Sequence, residues 1–170
     1  MLLSYYQCRE LFTTLSNESK SFIFDVDEPM RAKLFLEFAI TNATQEILLY
    51  VDKICEEIFF SAAVFDVLKT AAEKGLSLKL ISKNTETRFE NVYSKYFNDF
   101  VLVENKTINF FDKEINENKE INPFFVIDTK SMFYVQKLFE NNCVFHGAGC
   151  FFDPIISERL KKIFYENIVI

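Results

Sequence analysis

Apolar positions along the chain follow two periods. Between residues 4 and 16, Tyr5, Cys8, Leu11, Phe12 and Leu15 fall on one stripe at helical spacing. SFIFDV at 21–26 is a short strand. Pro29 stands where a first helical residue is tolerated, and Leu36, Ala39, Ile40 and Ala43 recur behind it as one buried face. EILLYV at 46–51 has too few polar positions for a half-exposed strand, so a central place in a sheet is expected. Ile58, Ala62, Phe65, Leu68 and Ala72 line one side of a helix over about 54–74, and Gly75 ends it as a left-handed cap does. LSLKLIS at 76–82 alternates as a strand does, 85–97 is an amphipathic helix, and 100–104 is a further strand.

The second half is less regular. DKEINENKE at 112–120 is markedly polar and reads as a solvated loop. FFVID at 124–128 and SMFYVQ at 131–136 form a hairpin around Thr129-Lys130, and 143–152 is a strand interrupted at Gly147 and Gly149. Asp153 is placed as an N-cap with Pro154 as the first helical residue, and Ile156, Leu160, Ile163 and Phe164 form the buried face that follows. Strands alternating with helices, then a hairpin and a closing helix, imply an α/β sandwich, a mixed sheet flanked by helices. No repeat or linker breaks the pattern, so 1–170 reads as one domain with the helix at 4–16 as an appendage.

Composition narrows the function classes. The 21 Phe and absent Trp are a coding bias rather than a functional signal. A net charge of -6 argues against a nucleic-acid binder, which needs a basic face. No run approaches the ~18 apolar residues of a membrane span. MLLSYYQCRELF lacks the basic then apolar order of a signal peptide, so the cytoplasm is expected by default. The four cysteines form no CxxC and read as buried free thiols in a reducing compartment.

Two constellations could carry chemistry. FIFDVDE at 22–28 resembles the opening strand of haloacid dehalogenase-like phosphatases, whose D-x-D supplies a nucleophile and a general acid beside Mg²⁺. That resemblance makes Asp25 and Asp27 the reacting pair and Ser82, ending LSLKLIS, the second motif. The glycine that normally follows is replaced by Glu28-Pro29, and the nearest later acidic pair is Asp112 and Glu114. The structural alternative is that Asp27 caps the helix starting at Pro29. In CVFHGAGC, Cys143, His146 and Cys150 offer three zinc-type ligands, with Asp153 as a fourth. Val144, Phe145, Phe151 and Phe152 mark the segment as a buried strand, in which Cys143 and His146 point apart. No metal and no cofactor are expected. With only Gly75, Gly147 and Gly149, there is no phosphate-cradling glycine loop.

Three segments in order resemble the phospholipase D-like family over about residues 21–167. They are AITNATQEILLYV with FDVLKTAAEKGLSLKLIS, PFFVIDTKSMFYV, and FFDPIISERLKKIFYENI. The family pattern is H-x-K-x4-D, in which histidine attacks phosphorus and lysine neutralises the phosphoryl oxygens. Asp128 matches the aspartate, but Ile121 and Pro123 stand at the histidine and lysine positions. His146 is followed two residues on by Ala148, not lysine. The resemblance implies a non-catalytic binding or regulatory module. Asp128 is expected to serve the Thr129-Lys130 turn, and Asp128, Lys130 and His146 are the candidate ligand-binding residues. Single-motif relatives pair through the motif face, so Ile121, Pro123, Phe124 and Phe125 are expected to form an exposed apolar patch that supports a homodimer.

Overall fold

The computed structural model describes residues 3–18, 21–26, 28–52, 58, 61–83, 92–113, 116–139 and 144–168. Its helices are α1 (Tyr5–Asn17), α2 (Pro29–Thr41), α3 (Ala62–Glu73) and α4 (Pro154–Asn167). Its strands are β1 (Phe24–Val26), β2 (Glu46–Val51), β3 (Ser77–Ser82), β4 (Phe100–Val103), β5 (Asn109–Asp112), β6 (Glu117–Glu120), β7 (Phe124–Ile127), β8 (Ser131–Phe139) and β9 (Val144–Cys150). Seven strands form one sheet in the order β1-β9-β8-β7-β2-β3-β4. β2, β3 and β4 are parallel, while β7, β8, β9 and β1 join by antiparallel pairing.

Strand alternation sorts the core into two layers. Ile47, Leu49 and Val51 of β2 face α1, α2 and α3, whereas Leu48 and Tyr50 face α4 and the β5–β6 ribbon. All six β2 residues are buried, as their apolar run requires of a central strand. α1 shares the first layer rather than hanging beside it: Phe12 packs 4.7 Å from Phe24 and 5.4 Å from Phe151, ring centre to ring centre.

Local chemistry sets the boundaries. Ser4 and Gln7 make a reciprocal capping box on α1. Asp153 caps α4 by accepting from the Ile156 N–H at 2.9 Å. Gly75 ends α3 with φ +81°, a left-handed conformation that favours glycine. α2 starts at Pro29 as its sequence requires, but the N-cap is Glu28, without a side-chain bond, and Asp27 lies outside the described residues.

Three expectations change. Residues 117–120 are not loop but β6, paired with β5; all four are exposed, so no apolar alternation marks them. β9 is continuous through Gly147 and Gly149. Those glycines leave room for rings: a Cβ on Gly147 would come within 2.7 Å of Phe133, and one on Gly149 within 2.9 Å of Phe24. The β7–β8 turn centres on Asp128 and Thr129, at φ 56° and 54°, closed by the Lys130 N–H to Ile127 carbonyl bond of 3.1 Å. Two positive φ values fit the primed turns that match strand twist.

Candidate functional site

The C-terminal ends of parallel strands are where open α/β sheets bind ligands. Here that pole holds Asp52, Ser82 and Glu104, which end or follow β2, β3 and β4. β7 runs antiparallel to β2, so its start lies at the same pole, with Phe124 opposite Tyr50. Ile121 and Pro123 therefore occupy the mouth of the sheet. Both are buried, Ile121 at 6% exposure. The Tyr50 hydroxyl accepts from the Ile108 N–H at 3.2 Å, and the Phe124 ring lies 5.7 Å from Tyr50 and 6.4 Å from Phe164. Lys83 pairs with Glu120 at the rim. Neither Ile121 nor Pro123 has a lone pair to attack phosphorus or a proton to give.

The exposed apolar patch expected on this face is absent. Phe124 points into the α4 layer and Phe125 into the opposite one, each fully buried by its own chain. Strand alternation separates the two rings, so they cannot form one surface.

Asp128 works at the other end of β7, and its partner is not the turn. Its carboxylate accepts from the Thr44 N–H (2.6 Å), the Thr44 hydroxyl (3.1 Å), the Gln45 N–H (2.9 Å) and the Glu46 N–H (3.0 Å). It thus ties the β7–β8 turn to the start of β2. The adjoining cavity, between Ser16, Ala39, Asn42, Ile127, Asp128, Lys130, Ser131 and Phe151, measures about 10 Å³. That is room for one water at most. Lys130 is exposed at the turn.

A charged cluster sits beside this tether. Glu46, 9% exposed, pairs with Lys161 of α4 and accepts from the Tyr165 hydroxyl at 2.6 Å. Lys79 donates to the Tyr165 hydroxyl at 3.0 Å, and Lys161 to the Thr129 hydroxyl at 3.1 Å. The hydrogen bond to Glu46 holds the Lys161 ammonium above the ordinary lysine range despite partial burial. Burial, then the bond to Glu46, pushes the Tyr165 phenol up. This cluster docks α4 on the sheet, and its residues, far apart in sequence, carry no local motif.

Glu46→Gln should cost about 1.5–3 kcal/mol, the scale of a hydrogen bond to a charged group. A raised lysine pKa adds stability that is fully present below the unfolded value and is lost as pH rises through the folded one. The gap between wild type and Glu46→Gln in urea melts should therefore be full at neutral pH and narrow in strong alkali. A gap that is constant across that range would show that Lys161 contributes nothing.

The other candidates are dispersed. Asp25 lies exposed on β1, and Ser82 ends β3. Sheet order sets those strands five spacings apart, about 24 Å. That overturns the phosphatase reading, which needs Asp25 and Ser82 around one phosphate; Asp27 and Glu114 lie outside the described residues. Cys143 and the His146 side chain also lie outside them, while the His146 backbone, in β9, pairs with Lys137 of β8. Cys150 is buried against α4, its Sγ 3.9 Å from Ser21 Oγ, and Asp153 is engaged as a helix cap. Among the described residues, no three of His, Cys, Asp and Glu are grouped to hold a metal ion. None of the described helices is long and apolar enough to cross a membrane.

No protein-family model matches the chain, and no curated protein does. Solved structures do. Nuc from Salmonella typhimurium, a phospholipase D family member, is similar over 87% of this chain and 94% of its own, at TM-score 0.54 and 11% identity. The fold is phospholipase D-like. The archaeal chromatin protein TrmBL2 is similar over 92% of this chain at TM-score 0.61 and 16% identity, and the chain spans 56% of its length. Polyphosphate kinase from Porphyromonas gingivalis matches over 92% of this chain and 27% of its own, at TM-score 0.53 and 12% identity. The phospholipase D-like fold is thus shared with an almost equally long chain and with parts of much longer ones.

Proposed function

We propose that residues 1–170 form one cytoplasmic, non-catalytic phospholipase D-like domain that acts by binding. The observation that carries this reading is the pair Ile121 and Pro123, seven and five residues before Asp128, both buried at the mouth of the sheet, Ile121 in apolar packing. A phosphodiesterase needs its nucleophile and its cation there, facing an open space. Asp128 supports the same reading. Its oxygens are taken up by the Thr44–Glu46 backbone, a folding task that needs neither histidine nor lysine.

The purified protein should hydrolyse neither bis-aryl phosphodiesters nor DNA nor phosphatidylcholine, with or without added metal. Turnover that survives repurification and disappears in His146→Ala would overturn this reading. TrmBL2 is described as binding DNA in a novel mode, so the same preparation should be titrated with duplex DNA. With a net charge of -6, and with Lys161 and Lys83 paired to carboxylates, no salt-sensitive binding is expected. Affinity that falls steeply with added salt would instead indicate phosphate contacts.

A further inference from the structure

The two edges of the large sheet are protected unequally. β1 is three residues long and places the exposed Asp25 at its centre, a charge that blunts an edge strand. β4 reads Phe-Val-Leu-Val and bonds to β3 on one side; among the described residues no strand pairs with its other side. It contains no charge, no proline and no bulge. All four of its residues are only half-buried, whereas β2 and β7 are buried throughout. Such an edge is a template for another strand.

Two further features lie beside it. An open groove of about 350 Å³, lined by Ser94, Phe97, Asn98, Phe100 and Leu102, runs along the face that carries Phe100 and Leu102. It is open to solvent, more polar than apolar in its exposed lining, and has room for a side chain. Glu104 follows β4 directly, and its Oε1 is buried without a hydrogen-bond partner. A buried, unsatisfied carboxylate oxygen is costly and is relieved by an incoming donor.

Charge selects the occupant. If a second copy paired antiparallel through Phe100–Val103, Asp99 of each copy would lie opposite Glu104 of the other. Like charges directly opposite one another destabilise a pairing. A strand with basic ends meets both carboxylates favourably. We propose that β4 is a docking edge for an extended segment of a partner protein. The segment would add to the seven-stranded sheet, place a side chain in the groove beside Phe100 and Leu102, and bring a lysine or arginine to Glu104. This names a partner class for the non-catalytic reading and rests on it only to that extent.

The test is titration of the full chain with the peptide Arg-Thr-Leu-Thr-Phe-Lys, followed by amide NMR, beside its counterpart Glu-Thr-Leu-Thr-Phe-Glu. Saturable binding of the basic peptide, with the largest shifts on β4, is expected. Glu104→Gln should weaken it about tenfold, the effect of one lost charge-assisted hydrogen bond. Glu104→Lys should reverse the preference toward the acidic peptide, which a merely destabilised edge could not do. Binding of neither peptide overturns the proposal, as does a preference unchanged in Glu104→Lys. A concentration-dependent dimer that excludes the peptide overturns it too, because the occupant is then a second copy. Phosphodiester turnover would end the non-catalytic reading without touching peptide binding, and absent peptide binding would not restore catalysis.

Discussion

Asp128→Ala should destabilise the protein by about 3–4 kcal/mol. The substitution removes the acceptor for three backbone N–H groups and one hydroxyl. Hydrogen bonds to a charged group contribute about 1.5–3 kcal/mol each where water cannot replace them. Thr44 and Gln45 are exposed enough to recover part of that from solvent, so the sum is well below three full bonds. Alanine at φ 56° adds about 1–2 kcal/mol of left-handed strain. Asp128→Asn keeps one acceptor oxygen and the tolerance for positive φ, and should cost about half as much. Asp128→Gly removes the strain but not the lost bonds, and should fall between the two. Urea melts of the three variants decide the matter. An alanine variant within ~0.5 kcal/mol of wild type, the ordinary surface range, would show that the tether does not hold the hairpin to β2.

Much of this fold is legible because local chemistry and packing agree. The unbroken EILLYV run announces a strand buried on both faces, and Asp153-Pro154 announces a helix start by capping and fixed φ together. β6 is illegible for the opposite reason. Glu117–Glu120 is held by backbone pairing on a solvated ribbon, and no side-chain period records that. Gly147 and Gly149 look like breaks because glycine so often marks one. Here the missing Cβ admits the Phe133 and Phe24 rings, a constraint that comes from β8 and β1. The site divides in the same way. Ile121 and Pro123 stand at positions that can be read from seven residues of spacing before Asp128. The partners of Asp128 are 84 to 82 residues away, and Tyr165 reaches Glu46 across 119. Only the register of β7 beside β2, and the docking of α4, bring these groups together.

Building an H-x-K pattern with Ile121→His and Pro123→Lys should cost about 4 kcal/mol or more and give no turnover. Volume and solvation set both outcomes. Both positions are buried, and Ile121 lies in the layer with Tyr50, Ile108, Phe124 and Phe164. Overpacking a filled core costs about 1–3 kcal/mol. An ammonium buried there without a paired anion costs several more or loses its proton. Glu120 is the nearest carboxylate in sequence, and Lys83 already engages it. If the double variant folds at all, its lysine is expected to be neutral and unable to screen a phosphoryl oxygen. Its urea midpoint, measured beside Ile121→Val as a conservative control, reads the cost. Assay of a bis-aryl phosphodiester on the folded fraction reads the chemistry. A double variant with wild-type stability would mean that the mouth of the sheet is open. Turnover by that variant would mean that this chain lacks only two side chains, rather than the space in which they act.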